Sequence, residues 1–182
     1  MTGTPPLGRF PGIAADAMRP QQEALAAAFL HRRGAIPGPY KIWISAPPFA
    51  MLLKDLSDHL LRQGALSPRA CEIAILVTAR QLAAPFIETA HRKLALDAGL
   101  PQAAIDAICD GCDPFLSDGH ERAVYEAAVA MHAHRPPDDE AFGRAVAILG
   151  HEGLSELAGL LGFYCACAFT LNFYGAGHPT AG

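Results

Sequence analysis

From Leu157 to Asn172 the chain reads "LAGLLGFYCACAFTLN" without a single charged residue, and the run continues uncharged through "FYGAG". A stretch of that length must be hidden from water, either in a bilayer or under protein. It is rich in Gly and Ala, holds Thr170 and Asn172, and carries no Lys or Arg at its far end. A core helix or an oligomer seam is therefore expected rather than a membrane span. Everything else in the chain has to supply the cover.

The rest of the sequence supplies helices. "RPQQEALAAAFLHRRG" reads as a helix from Pro20 to Arg33 stopped by Gly34, and "AIPGPY" reads as a turn. "PPFAMLLKDLSDHLLRQG" is opened by prolines and closed by Gly64. In "LSPRACEIAILVTARQLA", Ser67 is the N-cap and Pro68 the first helical residue. Pro85 ends that helix and opens another, ending at Gly99, with Phe86, Ile87, Ala90, Leu94 and Ala95 as its apolar set. A short helix in "LPQAAIDAICDG" follows, then one in "SDGHERAVYEAAVAMHAH" capped by Ser117 or Asp118. "RPPDDEAFGRAVAILG" and "HEGLSELAGLLGFYCACAFTLNFYG" complete the series. No segment alternates with period two. The expected fold is all-α, a multi-helix bundle of seven or eight helices in a single domain over 1–182, with 1–18 as an extended N-terminal arm.

Composition narrows the function. Of 182 residues, 51% are hydrophobic and 18% charged, which excludes a disordered chain. The net charge of −4 and the lack of any basic stripe argue against nucleic acid as a partner. "MTGTPPLGRFPG" has no apolar segment of the signal-peptide kind, and five cysteines do not suggest a disulfide framework, so a cytoplasmic protein is expected. Cys109 and Cys112 have CxxC spacing, yet they close a helix instead of opening one. The negative end of a helix works against a low thiol pKa. Cys165 and Cys167 lie two apart on a helix and cannot share a face. No metal-ligand pattern is visible. His132 and His134 read as solvated caps, and His31 and His59 as surface residues.

Two acids and an imidazole stand out. Glu72, in "ACEIAILV", is the one acid of its helix and sits between apolar neighbours; it is either partnered or raised in pKa, or else a surface glutamate near a positive helix start, helped by Arg69. Glu88 and His91 are spaced to touch along the next helix. Two helices joined by a tight proline break lie side by side, so His91 from one and Glu72 from the other can meet in the groove between them.

With these residues in view, "LSPRACEIAILVTARQLAAPFIETAHRKLALDAGL" resembles the carboxymuconolactone decarboxylase family, which includes the alkyl hydroperoxidase D branch. "SAPPFAMLLKDLSDHLL" before it and "GLSELAGLLGFYCACAFTLNFYG" after it extend the likeness over most of the chain. The resemblance implies an all-α protein that forms homotrimers or homohexamers through its last helices. It places His91 on the family's helix histidine and Glu72 on the glutamate of the peroxidase branch's proton relay. The peroxidase cysteines fall on Ala84 and Ile87, so the redox pair is missing. The decarboxylase branch's acid falls on Ile87, with Glu88 one residue on, a turn of about 100° around the helix.

The expected function is a cofactor-free, metal-free, lyase-like enzyme acting on a small carboxylated or lactone intermediate of aromatic catabolism. His91 would be the proton donor, Glu72 its orienting charge, Glu88 a further acid, and Arg80 a holder of the substrate carboxylate. Two alternatives stand beside it: a thiol-dependent peroxidase, and a non-catalytic oligomeric protein that binds a small molecule.

Overall fold

The computed structural model describes residues 3–178, Arg33 by its backbone alone. The fold is all-α, and among the described residues the only extended pairings are the isolated bridges Thr4–Ile13 and Leu7–Phe10. The helices are α1 (Pro20–Arg33), α2 (Gly38–Trp43), α3 (Pro47–Arg62), α4 (Pro68–Gln81), α5 (Pro85–Asp97), α6 (Gln102–Asp110), α7 (Gly119–His132) and α8 (Asp139–Phe173). The chain divides into two compact units, Met1–Leu56 with Phe169–Gly182, and Ser57–Ala168. Helices α3 and α8 run through both boundaries.

In the first unit the N-terminal arm is a bridged loop followed by a short 3-10 turn at Ala15–Ala17. Arg9 N–H donates to the Tyr174 carbonyl at 2.7 Å, and Phe10 meets the Tyr174 ring edge-on. Helix α2 replaces the expected turn. Pro37 and Gly38 read as breakers, but Pro39 lies in the first turn, where a missing N–H is harmless. Burial of Tyr40, Ile42 and Trp43 then outweighs the poor local propensity. Trp43 Nε1–H donates to Thr170 Oγ1 at 2.9 Å, so a threonine of the uncharged run has a buried-ring partner.

The second unit is built around α4, which packs against α5, α6 and α7. Ser67 caps it by accepting from Ala70 N–H, and Pro68 opens it. Ala70, Ile73, Ala74, Ile75, Leu76 and Ala79 are fully buried, so α4 is apolar around nearly its whole circumference. Arg69 ties its start to α7. Nη2 donates to Glu121 Oε2 at 3.1 Å, and Nε lies 2.6 Å from Oε1 without its N–H aligned on that oxygen. Ala83, at φ 45°, and Pro85 turn the chain from α4 into α5. On α5 only Ile87 and Ala95 are buried; Leu94, expected inside, is 46% exposed.

The uncharged run forms the C-terminal part of α8. Its Leu157, Leu160, Leu161, Cys167, Ala168 and Leu171 are buried, whereas Phe169 and Phe173 are exposed. By length and composition α8 could cross a membrane, and 44% of its most apolar stretch is buried within the fold. Gly150, at φ 66° and ψ 172°, interrupts the helix. The break falls where the sequence separates "AFGRAVAILG" from "HEGLSELAG", so the two expected helices meet at that residue.

Candidate active site

Glu72 sits early on α4 between the buried Cys71 and Ile73, and its side chain is 13% exposed. His91 sits on α5, with its side chain 12% exposed. The tight turn through Ala83 and Pro85 folds α5 back along α4, and His91 Nδ1 comes to 2.7 Å from Glu72 Oε2. An ionised carboxylate only accepts, so Nδ1 carries the shared proton and Nε2 lies on the far side of the ring. Nε2 has no hydrogen bond among the described residues. Tyr164 of α8, itself buried, meets the imidazole edge-on at 5.1 Å with an interplanar angle of 89°. The ring is thus held at one nitrogen by charge and on one side by an aromatic, which leaves the other nitrogen for chemistry.

Sequence reasoning alone does not single out Tyr164. Its signal is present all the same: a tyrosine inside an uncharged run brings a hydroxyl that seeks a partner once buried.

The other expected residues go elsewhere. Glu88 accepts from Arg92 Nε at 2.9 Å, and Arg92 Nη1 donates to Asp106 Oδ1 at 2.6 Å. The Glu88 hydrogen bond holds the Arg92 guanidinium above its ordinary value, and Arg92 in turn holds Asp106 below the usual carboxylate range. No hydrogen bond joins Glu88 to His91 among the described residues. Arg80 lies in the last turn of α4, exposed, with its guanidinium on the bare face of Gly111 at the end of α6. The structure therefore brings Glu72 and His91 together and leaves Glu88 and Arg80 in separate contacts.

The CxxC pair ends α6 in a Schellman turn. Cys112 N–H donates to the Ala107 carbonyl at 2.8 Å and Gly111 N–H to Ile108 at 3.2 Å, with Gly111 at φ 74°. Burial, followed by the nearby Glu88 charge, pushes the Cys109 thiol up to about 11. Cys71, beside Glu72, is likewise raised to about 11, chiefly by burial and then by Glu72 and Glu156. Both thiols are protonated at neutral pH and are poor nucleophiles. His132 is not a solvated cap. Thr78 gives its hydroxyl proton to the Ala74 carbonyl, so His132 Nε2 donates to Thr78 Oγ1 at 3.0 Å. Burial, then the charge of His134, holds His132 below its ordinary value.

A groove of about 890 Å³ opens in the same unit between α7 and the N-terminal part of α8, and none of Glu72, Glu88, His91, Arg80 or Tyr164 lines it. Among the described residues no cluster of His, Cys, Asp and Glu has the makings of a metal site. Compared with known proteins, the chain matches no family model and no curated sequence.

Proposed function

We propose that the protein is a cofactor-free acid–base enzyme of the lyase type, acting on a small carboxylated or lactone substrate, with His91 as the proton-transfer group and Glu72 as its positioning partner. The observation that carries this reading is the 2.7 Å contact between His91 Nδ1 and Glu72 Oε2, made across two helices in a largely buried setting. In a decarboxylation the carbon–carboxylate bond breaks and its electron pair moves into the unsaturated lactone. A proton must then return to carbon. The imidazolium form of His91 offers Nε2–H for that step, and the adjacent carboxylate stabilises the cation before transfer. Glu72 does not touch substrate in this scheme. Arg80 takes no part in it, because its guanidinium lies on Gly111.

Nothing in the site favours thiol peroxidase chemistry. Ala84 and Ile87 stand where the resemblance would put the redox pair, and Cys109 is held as a thiol. A homotrimer or homohexamer is part of the same proposal. In the first unit Leu52, Phe169 and Phe173 are 72%, 64% and 79% exposed, apolar side chains that a further copy could cover. The test of function is loss of carboxymuconolactone absorbance with release of carbon dioxide, in wild type and His91→Ala. Turnover that survives in His91→Ala with the fold intact rules the assignment out.

A further inference from the structure

The groove between α7 and the first part of α8 is independent of the Glu72–His91 pair. Its volume, about 890 Å³, falls within the range of small-molecule sites, about 300–1,000 Å³. On α7, Ala123, Ala127 and Ala130 recur at helical spacing and make a smooth floor. Opposite them, Phe142 and Ile148 of α8 are 52% and 47% exposed, although both line the groove. The break at Gly150 falls between Ile148 and His151, both lining residues, and bends the α8 wall. Pro136 and Pro137, in the connection between α7 and α8, also line the groove.

Charge is distributed unevenly around this apolar trough. Glu126 is the one acid lining it, and it is bound to Arg122 at 2.7 Å. Arg122 also holds Asp113, and Arg144 holds Glu140 at 2.6 Å. Arg135, in the connection beside those prolines, has no ion pair among the described residues. His134 and His151 add further basic groups to the lining.

We infer that this groove binds a small amphipathic carboxylate, with its hydrocarbon part along the alanine floor and its anionic end at Arg135. The apolar length and the unpaired guanidinium of Arg135, beside the paired Arg122 and Arg144, fit that arrangement. A neutral hydrocarbon would leave Arg135 unused, and a polar anion would leave Phe142 and Ile148 uncovered.

Octanoate and 1-octanol are suitable probes, titrated calorimetrically into the full chain. Octanoate is expected to bind saturably with one site per chain and more tightly than 1-octanol. Arg135→Gln should weaken octanoate by roughly threefold, the scale of one exposed ionic contact, and leave 1-octanol unchanged. Ala130→Phe should remove binding of both by filling the floor. Phe142→Ser, at an exposed position that can be changed without disturbing the core, should weaken both and keeps the test valid if Ala130→Phe does not fold. No saturable binding, or octanoate binding that is the same in Arg135→Gln and Phe142→Ser as in wild type, overturns the inference. So does an oligomer that Phe142→Ser dissociates while wild type takes up no octanoate, since a second copy would then be the occupant.

Discussion

The second unit contains two histidine–glutamate pairs, and they serve different ends. His91 and Glu72 lie 2.7 Å apart with side chains 12% and 13% exposed. His59 and Glu156 lie 3.0 Å apart, with the histidine 51% exposed. Glu156 also accepts the backbone N–H of Ala65 and so fastens the turn after α3. Glu72 holds no backbone N–H among the described residues, and its hydrogen bond goes to the imidazole. The same two residue types form a structural clasp where the carboxylate holds backbone, and a candidate proton-transfer site where it holds only a ring. Solvation deepens the contrast, because water screens the His59 pair and is largely excluded from the other.

The largest difference between the two pairs is expected in activity. His91→Ala should lower kcat/KM on the true substrate by about 10²–10⁴-fold, the usual contribution of a positioned acid or base, while His59→Ala leaves it unchanged. Comparable losses in both variants would erase the distinction.

Stability should respond the other way round. Glu156→Ala leaves the solvent-exposed Ala65 N–H to water in place of its carboxylate acceptor and should cost about 0.5–1.5 kcal/mol in urea unfolding. Glu72→Gln keeps shape and hydrogen-bonding capacity, so its unfolding midpoint should move little while kcat/KM falls with the lost charge beside the imidazole. A Glu72→Gln variant that unfolds as readily as Glu156→Ala would mark Glu72 as a clasp too.

Glu88→Gln sharpens the boundary of the site. Glu88 is engaged by Arg92, so the substitution should change kcat/KM by less than about threefold, on the scale of an exposed ion pair. A loss approaching that of His91→Ala would bring Glu88 back into the chemistry.

The smallest effect concerns a third histidine, whose partner is a hydroxyl. His132 is held below its ordinary value, so the folded protein binds its proton less readily than the unfolded chain does. Its contribution is intact above the ordinary histidine value and is lost as pH falls through that value toward the folded one. His132→Gln retains a donor for Thr78 and removes the titration. Unfolding midpoints of wild type and variant should therefore converge, or cross, on acidification through that window. Parallel curves would show that His132 does not titrate differently on folding.

Much of the fold is readable because it rests on local chemistry. Ser67 and Asp118 cap helices through bonds to their own backbone neighbours, and Pro68 and Pro85 restrict φ wherever they stand. Residues whose role is decided by distant partners are harder to read. Helix α2 forms because Tyr40, Ile42 and Trp43 are buried, in spite of its prolines. Leu94 fits the helical period of α5 yet stays exposed, since period fixes a face and not what covers it. His132 reads as a cap until Thr78, far away in sequence, supplies its hydroxyl. At the site, the pairing of Glu72 with His91 can be anticipated from two helices folded back on each other. Tyr164 cannot be, because it arrives from α8.

Gly111 and Gly150 both sit at positive φ, but for reasons that handedness can separate. A side chain at Gly150 would meet nothing nearby, so its penalty is conformational alone. At Gly111 an L-residue would adopt an unfavourable φ and also drive its Cβ into the Arg80 guanidinium. A D-residue prefers positive φ and carries its Cβ on the opposite side of the Cα. In a semisynthetic chain, inverting the stereocentre of an alanine at 150 therefore relieves one strain, whereas the same inversion at 111 relieves a backbone strain and a collision together. The end of α6 is in this sense the more chiral of the two turns, and Arg80 makes it so.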